Sequence, residues 1–131
     1  MQQRCQYRVL VLLSVVLATL VVMFHAERVA NAGDLEEGAK LYQQRCASCH
    51  GADGKAHTPI AQALTPKPRD HTDGAYMNKL SNEHLTKVIK GGGSAVGRSP
   101  LMPPQPDLND TQIQQLVTFV RSLAVPPYKG N

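Results

Sequence analysis

The hydrophobic pattern of the chain begins with one long apolar segment. Val9–Phe24 is an uninterrupted run of 16 mostly apolar residues, and Arg4 and Arg8 place positive charge before it. An Ala-Asn-Ala sequence at Ala30–Ala32 then offers the small residues of a cleavage site. This arrangement is typical of a secretory signal peptide and predicts that residues 1–32 are removed after export. The run is shorter than the ~20 apolar residues that a membrane-spanning helix needs, and an uncleaved anchor stays open as the alternative.

The remaining segment, residues 33–131, starts with apolar residues at helical spacing. Asp34 and Glu37, three residues apart, are typical of a capping box and predict that a helix begins at Asp34. The inward stripe of this helix comprises Leu35, Ala39, Tyr42 and Cys46. Gly38 lies inside the same helix, where glycine costs up to about 1 kcal/mol relative to alanine. A glycine at this position suggests that another backbone approaches closely.

Two further helices follow the same 3.6-residue periodicity. Ser81 is a good N-cap for the first of them, and Asn109 with Gln112 forms a second capping box for the last helix. Their inward positions are Leu85, Val88 and Ile89 in the first, and Ile113, Leu116, Val117, Val120 and Leu123 in the last. Proline- and glycine-rich loops separate the predicted helices. No strand pattern or internal repeat is visible, which predicts a single all-α domain over residues 33–131.

Net charge adds little to this description. The chain has 14 Lys+Arg and 10 Asp+Glu, and loss of Arg4, Arg8, Arg28 and Glu27 with the signal leaves 11 and 9, a formal +2. No block of like charge is present, so the charge pattern gives no support for nucleic-acid binding.

The chemistry lies in a Cys-Ala-Ser-Cys-His motif. Cys46, Cys49 and His50 have the spacing of covalent c-type haem attachment, in which two sulfurs reach the two vinyl groups on one edge of the porphyrin. A redox-active dithiol would follow a strand, whereas a helical pattern leads into this motif. A zinc site would need a second pair of ligands, and His57 and His71 lack the spacing for it. The motif therefore predicts one covalently bound haem c.

On this motif and its context the sequence resembles the class I cytochrome c family. The resemblance implies an all-α cytochrome c fold, with three to five helices wrapped around one haem and the N- and C-terminal helices crossing. It implies that Cys46 and Cys49 carry the thioether bonds and that His50 is the fifth iron ligand. A glycine and an aromatic residue meet the last helix at the family's helix crossing, and Gly38 and Tyr42 match those positions.

The resemblance also implies two positions in the loops. In the family, a proline carbonyl after the motif accepts a hydrogen bond from the proximal histidine, and Pro59 matches that proline best. The family's sixth ligand lies in a Met-Pro element before the last helix, and Met102 matches it. Met102 precedes two prolines that stiffen the backbone, so its sulfur can be presented to a metal at low entropic cost.

Other side chains remain open as the sixth ligand. Met77 is the main rival, although a methionine in a short helix is more often a core residue. His57 or His71 would give a haem with two histidine ligands and a lower potential, but both are expected to lie in solvent.

The combined expectation is a monomeric, monohaem electron carrier of the periplasm. A His/Met pair fills both axial positions, as in electron-transfer cytochromes, and leaves no place to activate a small molecule. No catalytic set or nucleotide motif is present, and the expected partners are redox proteins that dock transiently at an exposed haem edge. Two alternatives remain: an electron-transfer subunit of a larger periplasmic oxidoreductase, and a haem sensor or peroxidase with an open distal side.

Overall fold

The computed structural model describes the backbone of residues 2–130 and the side chains of residues 12–21 and 32–130. Within these residues the regular structure is helical, with one isolated β-bridge between Asp73 and Val125. This confirms the predicted all-α class for the described part of the chain. Contacts within the chain divide it into two units, Met1–Gly33 and Asp34–Asn131. The division lies next to the predicted cleavage position; the cleavage itself stays a prediction.

The first unit is helical. Helix α1 runs from Gln2 to Arg45, so it supplies the first unit and the beginning of the second. The large apolar side chains described in the first unit are exposed, namely Leu12, Leu13, Val15, Val16, Leu17, Leu20 and Val21. Among the described residues, no helix has both the length and the apolar character to cross a membrane. The side chains of Arg4 and Arg8, and those of the predicted cleavage site before Ala32, lie outside the described residues.

The prediction that a helix begins at Asp34 was wrong. Helix α1 continues through Asp34 without a break, so this residue does not serve as an N-cap. Its carboxylate accepts a hydrogen bond from Gln115 Nε2 at 3.1 Å instead. The side chain of Glu37 accepts a hydrogen bond from Lys40 Nζ at 2.8 Å, one helical turn further along. Asp34 therefore contacts another helix and Glu37 pairs within α1, and neither caps the start of a helix.

The other helices lie in the second unit. They are α2 (Ala47–His50), α3 (Pro59–Ala63), α4 (Gly74–Met77), α5 (Asn82–Gly91), a 3-10 helix (Gly93–Val96) and α6 (Asp110–Leu123). Two predicted caps are confirmed: Ser81 Oγ accepts from His84 N at 3.1 Å, and Asn109 and Gln112 form the reciprocal capping box of α6. The described residues contain more helices than the three to five expected, because several helices comprise only four or five residues.

The predicted crossing between the first and last helices of the domain is present. A Cβ atom added to Gly38 would lie 2.1 Å from the carbonyl oxygen of Gln115 in α6, so only glycine permits this approach. One turn further along α1, the ring of Tyr42 packs against Phe119 with ring centroids 4.9 Å apart. The close backbone contact and the aromatic pair together fix α1 against α6 beside the Cys46–His50 motif.

The core of the second unit combines residues from α1, α4, α5 and α6. Its buried members are Tyr42, Met77, Leu85, Ile89, Leu108, Ile113, Leu116, Val117, Val120 and Ala124. Arg121 of α6 is also buried and joins the end of α4 to the start of α5. Its guanidinium donates to the Met77 carbonyl at 2.8 Å, to the Asn82 side chain at 2.9 Å and to the Leu80 carbonyl, and lies 3.8 Å from the ring centre of Tyr128.

Candidate haem site

The cysteine–histidine motif forms a short turn of helix directly after α1. Cys46 N donates to the Tyr42 carbonyl at 2.9 Å, and His50 N donates to the Cys46 carbonyl at 2.9 Å. Cys46 and Cys49 are free thiols, both partly exposed. Burial raises the pKa of the Cys46 thiol to about 11. Both sulfurs are thus unpaired and available for thioether bonds.

The imidazole of His50 is oriented by a backbone carbonyl. The His50 side chain is only 8% exposed, and its Nδ1 lies 2.9 Å from the Arg69 carbonyl oxygen. A carbonyl can only accept, so Nδ1 carries the hydrogen and Nε2 keeps its lone pair. Burial also lowers the pKa of His50 and favours the neutral ring. A neutral histidine with one nitrogen hydrogen-bonded and the other free is the arrangement that ligates metals.

The assignment of this carbonyl to Pro59 was wrong. Pro59 is the exposed first residue of α3, a position that suits proline because the first helical N–H has no partner in the helix. The preceding Thr58 caps α3 by accepting from Ala61 N at 3.0 Å, and its hydroxyl donates to the Cys49 carbonyl at 3.4 Å. The segment around Pro59 therefore contacts the motif, while Arg69, further along the same loop, supplies the acceptor for His50.

The position of His71 also differs from the expectation. Its ring stacks on that of His50, with centroids 4.2 Å apart and planes inclined by 16°. Its Nδ1 lies 3.0 Å from the hydroxyl oxygen of Tyr42, a side chain that is completely buried. Burial lowers the pKa of His71 to about 3, so both stacked rings are neutral near pH 7. If His50 binds an iron through Nε2, a ring stacked on the face of His50 could not also reach the opposite side of that iron, so His71 does not fit as a distal ligand. His57, by contrast, is exposed as expected.

The two candidate methionines occupy different environments. Met77 is 2% exposed and belongs to the hydrophobic core. Met102 is half-buried in the loop before α6, and its carbonyl accepts from Gly93 N at 3.0 Å. A Cβ atom on Gly92 would lie 2.7 Å from the same carbonyl oxygen, so the glycine run after α5 permits the loop to pack closely. Met77 therefore has the position of a methionine that fills space in the core. Met102 instead lies on a loop that is anchored by a backbone hydrogen bond.

Sequence reasoning missed the two neighbours of His50. A backbone carbonyl such as that of Arg69 has no signature in a sequence, although the prolines just before it indicate a stiff loop. The sequence did contain one indication that His71 could be packed inside. Tyr42 was predicted to face inward, and a buried tyrosine hydroxyl needs a hydrogen-bond partner.

Similarity to known proteins agrees with this geometry. The family model described as Cytochrome c matches residues 35–124, which include the motif, Met102 and α6. The chain belongs to the cytochrome c family. Haem-based electron transfer is the activity of this family, and covalently bound haem c is its cofactor. The free thiols and the single lone pair of His50 fit that group.

This cytochrome is similar to several known proteins. It is 25% identical over 111 residues to cytochrome c6 of Cyanidium caldarium, covering 84% of this chain and 90% of that protein. It is 30% identical over 89 residues to cytochrome c6 of Bryopsis maxima, covering 67% of this chain and 90% of that one. The Cbb3-type cytochrome c oxidase subunit FixP of Azorhizobium caulinodans is 27% identical over 67% of this chain and 27% of its own length.

One solved structure is similar as well. It is the Kuenenia stuttgartiensis reducing HAO-like protein complex Kustc0457/Kustc0458, with a TM-score of 0.58 and 28% sequence identity. The match covers 68% of this chain and 42% of the chain in that complex.

Proposed function

We propose that this cytochrome carries single electrons between periplasmic redox proteins. Cys46 and Cys49 hold haem c through thioether bonds, and His50 and Met102 ligate the iron. The observation that supports this best is the 2.9 Å contact between His50 Nδ1 and the Arg69 carbonyl, because it leaves Nε2 as the one nitrogen able to bind a metal.

The residues around the motif suit an electron carrier. A bound haem supplies an iron that changes its charge by one electron. Electron transfer is faster when the atoms around the iron move little on oxidation and reduction. The Arg69 carbonyl at one edge of the His50 ring and the His71 ring on one face limit the movement of that ring. The partial burial of Cys46 and the burial of His50 keep the site away from bulk water.

Two features support Met102 as the sixth ligand. First, Pro103 and Pro104 stiffen the backbone after it, and the hydrogen bond from Gly93 anchors its carbonyl. Second, Met77 is already packed in the core, where its withdrawal would leave a cavity costing roughly 2–5 kcal/mol. A His/Met pair raises the reduction potential, which suits an electron carrier.

The ligand assignment is tested with two variants, Met102→Ala and Met77→Ala. Oxidised wild-type protein should show the weak red-region sulfur-to-iron charge-transfer band. We expect Met102→Ala to lose this band and to bind carbon monoxide when reduced, while Met77→Ala keeps the band but unfolds more easily. Loss of the band in Met77→Ala but not in Met102→Ala would show that Met77 is the sixth ligand. Carbon monoxide binding by the wild type would instead favour a sensor or peroxidase.

Thioether attachment has its own test. Acid–acetone should fail to extract haem from the purified protein. The Cys49→Ala variant should keep a single bond at Cys46 and show a shifted visible spectrum. Extractable haem in the wild type would contradict the attachment.

A second candidate function is electron transfer within a larger oxidoreductase. The related FixP is an oxidase subunit and the similar solved structure is a complex, and this chain matches only part of each. Transient redox encounters weaken with salt because they depend on surface charge. If a larger protein copurifies with this cytochrome at high salt, the cytochrome is a subunit of an oxidoreductase. If electron exchange with separate proteins weakens as salt is added, the cytochrome is a free carrier.

The cellular location and oligomeric state are also part of the proposal. We infer export to the periplasm from the signal-like segment 1–32, with a membrane anchor as the alternative if that segment is retained. N-terminal sequencing of the purified protein should begin at Gly33. A monomer should elute from size exclusion at the mass of one chain with one haem.

A further inference from the structure

We propose that His71 is a positioning residue that sets the plane of the His50 imidazole, and that Tyr42 holds His71 in place. This inference rests on the proposed function, specifically on His50 as an iron ligand. It assigns a role to the half-buried His71 and the buried Tyr42, which neither haem attachment nor axial ligation uses.

The Arg69 carbonyl alone does not fix the plane of the His50 ring. A single hydrogen bond at Nδ1 fixes one edge of the His50 ring and its tautomer. The torsion about the bond between Cβ and the ring is broad and has no sharp minima of its own. The plane of the ring therefore needs a second contact, and the only ring stacked on it among the described residues is that of His71.

The stacking geometry is suited to this role. The two ring planes are inclined by 16° with centroids 4.2 Å apart, so rotation of the His50 ring would drive its edge into His71. The backbone of His71 is itself anchored, because its N–H donates to the Gly54 carbonyl at 2.8 Å. A Cβ atom on Gly54 would lie 3.4 Å from His71 Cβ, so the chain is closely packed there.

Tyr42 then fixes the side chain of His71. Its hydroxyl oxygen lies 3.0 Å from His71 Nδ1, and the two rings meet edge to face with centroids 5.8 Å apart. Tyr42 is completely buried and packs on Phe119 of α6, so it cannot easily move. If His71 left, the Tyr42 hydroxyl would be buried without its partner, which is unfavourable. The orientation of the proximal ligand is thus linked through two rings to the packing of α1 against α6.

The test uses the oxidised, haem-loaded protein and reads ligand orientation directly. The g values in electron paramagnetic resonance and the hyperfine-shifted haem methyl resonances in proton NMR depend on the planes of the axial ligands. We expect His71→Ala to shift both sets of signals outside the spread of wild-type preparations. His71→Phe keeps a flat ring against His50 but loses the bond to Tyr42, so it should restore most of the wild-type pattern and resemble Tyr42→Phe.

Two more variants complete the test. Tyr42→Phe should shift the signals in the same direction as His71→Ala but less, because it removes only the hydroxyl. His57→Ala, at an exposed histidine on the other side of α3, should leave them unchanged. Unfolding midpoints measured in parallel separate a loss of stability from a change in ligand plane.

The inference fails if His71→Ala retains haem and shows wild-type g values and methyl shifts, or if His71→Phe disturbs them as much as His71→Ala does. If His71→Ala does not fold, Tyr42→Phe decides, because it releases the His71 ring without removing it; wild-type g values and methyl shifts in Tyr42→Phe would then overturn the inference. Failure of the proposed function is distinguishable, since a wild-type protein without low-spin signals would show that His50 and Met102 do not both bind the iron.

Discussion

Replacement of Gly38 by alanine tests the helix crossing on which the domain is built. The added Cβ would lie 2.1 Å from the Gln115 carbonyl oxygen and 3.0 Å from Phe119 Cβ. Since the nearest atom belongs to the backbone of α6, it cannot turn away as a flexible side chain does. The two helices would have to separate by about an ångström to restore ordinary contact distances.

Two opposing effects set the change in the free energy of unfolding caused by Gly38→Ala. Overpacking of this kind costs typically about 1–3 kcal/mol and sometimes more, and a clash with backbone belongs at the upper end. Alanine is favoured over glycine inside a helix by up to about 1 kcal/mol, which offsets part of that cost. We therefore expect Gly38→Ala to lower the free energy of unfolding by about 2 kcal/mol, which corresponds to roughly 10 °C in Tm for a domain of this size. Gly38→Val should lose more.

The assay is guanidinium unfolding of the oxidised protein, followed by circular dichroism in the helical region. Gln44→Ala is the control, because Gln44 is an exposed residue inside the same helix, so the substitution changes helix propensity without adding a close contact. We expect the control to be neutral or slightly stabilising. A Gly38→Ala protein as stable as this control would refute the close approach of α1 and α6.

Three other predictions concern the loops and caps. Gly93→Ala should push the Met102 loop outward, because its Cβ would lie 2.1 Å from the Ser99 carbonyl oxygen, and the red-region absorption band should weaken. Asn109→Ala removes one side of the α6 capping box and should cost about 1 kcal/mol in denaturant unfolding. Arg121→Met leaves three oxygen acceptors without their donor and should cost about 2 kcal/mol or more in the same assay.

Each of these has a neighbouring control. Ser94→Ala, at an exposed position of the same 3-10 helix, should leave the absorption band intact. Asn109→Asp keeps an acceptor for the helix N-terminus and should retain most of the stability that Asn109→Ala loses. Arg98→Met removes an exposed arginine and should be close to neutral. Equal losses in a variant and its control would contradict the contact assigned to that residue.

The features that local sequence determines were predictable. The spacing of Cys46, Cys49 and His50 is a covalent requirement of one short segment, so no tertiary information is needed to recognise it. The caps at Ser81 and Asn109 likewise depend on residues within one helical turn, and both are present. Gly38 was informative because glycine inside a helix is unfavourable unless another element comes close.

The features that depend on distant contacts were not predictable in the same way. The capping pattern at Asp34 is competent to start a helix, but the residues before it continue the helix, so the side chain bonds Gln115 instead. Pro59 was chosen by position, yet proline at the start of α3 satisfies a local preference that the position rule ignores. His71 was assigned to solvent because its segment has the pattern of a surface turn, while its ring lies between two side chains from other parts of the chain.

The use of a main-chain oxygen to orient His50 has a consequence for mutational scanning. Every amino acid carries the same carbonyl, so substitution of the Arg69 side chain leaves this acceptor in the protein. A scan of single replacements would therefore report residue 69 as dispensable for the contact. Insertions or deletions between the motif and residue 69 would displace the oxygen, which makes loop length, rather than residue identity, the quantity under constraint there.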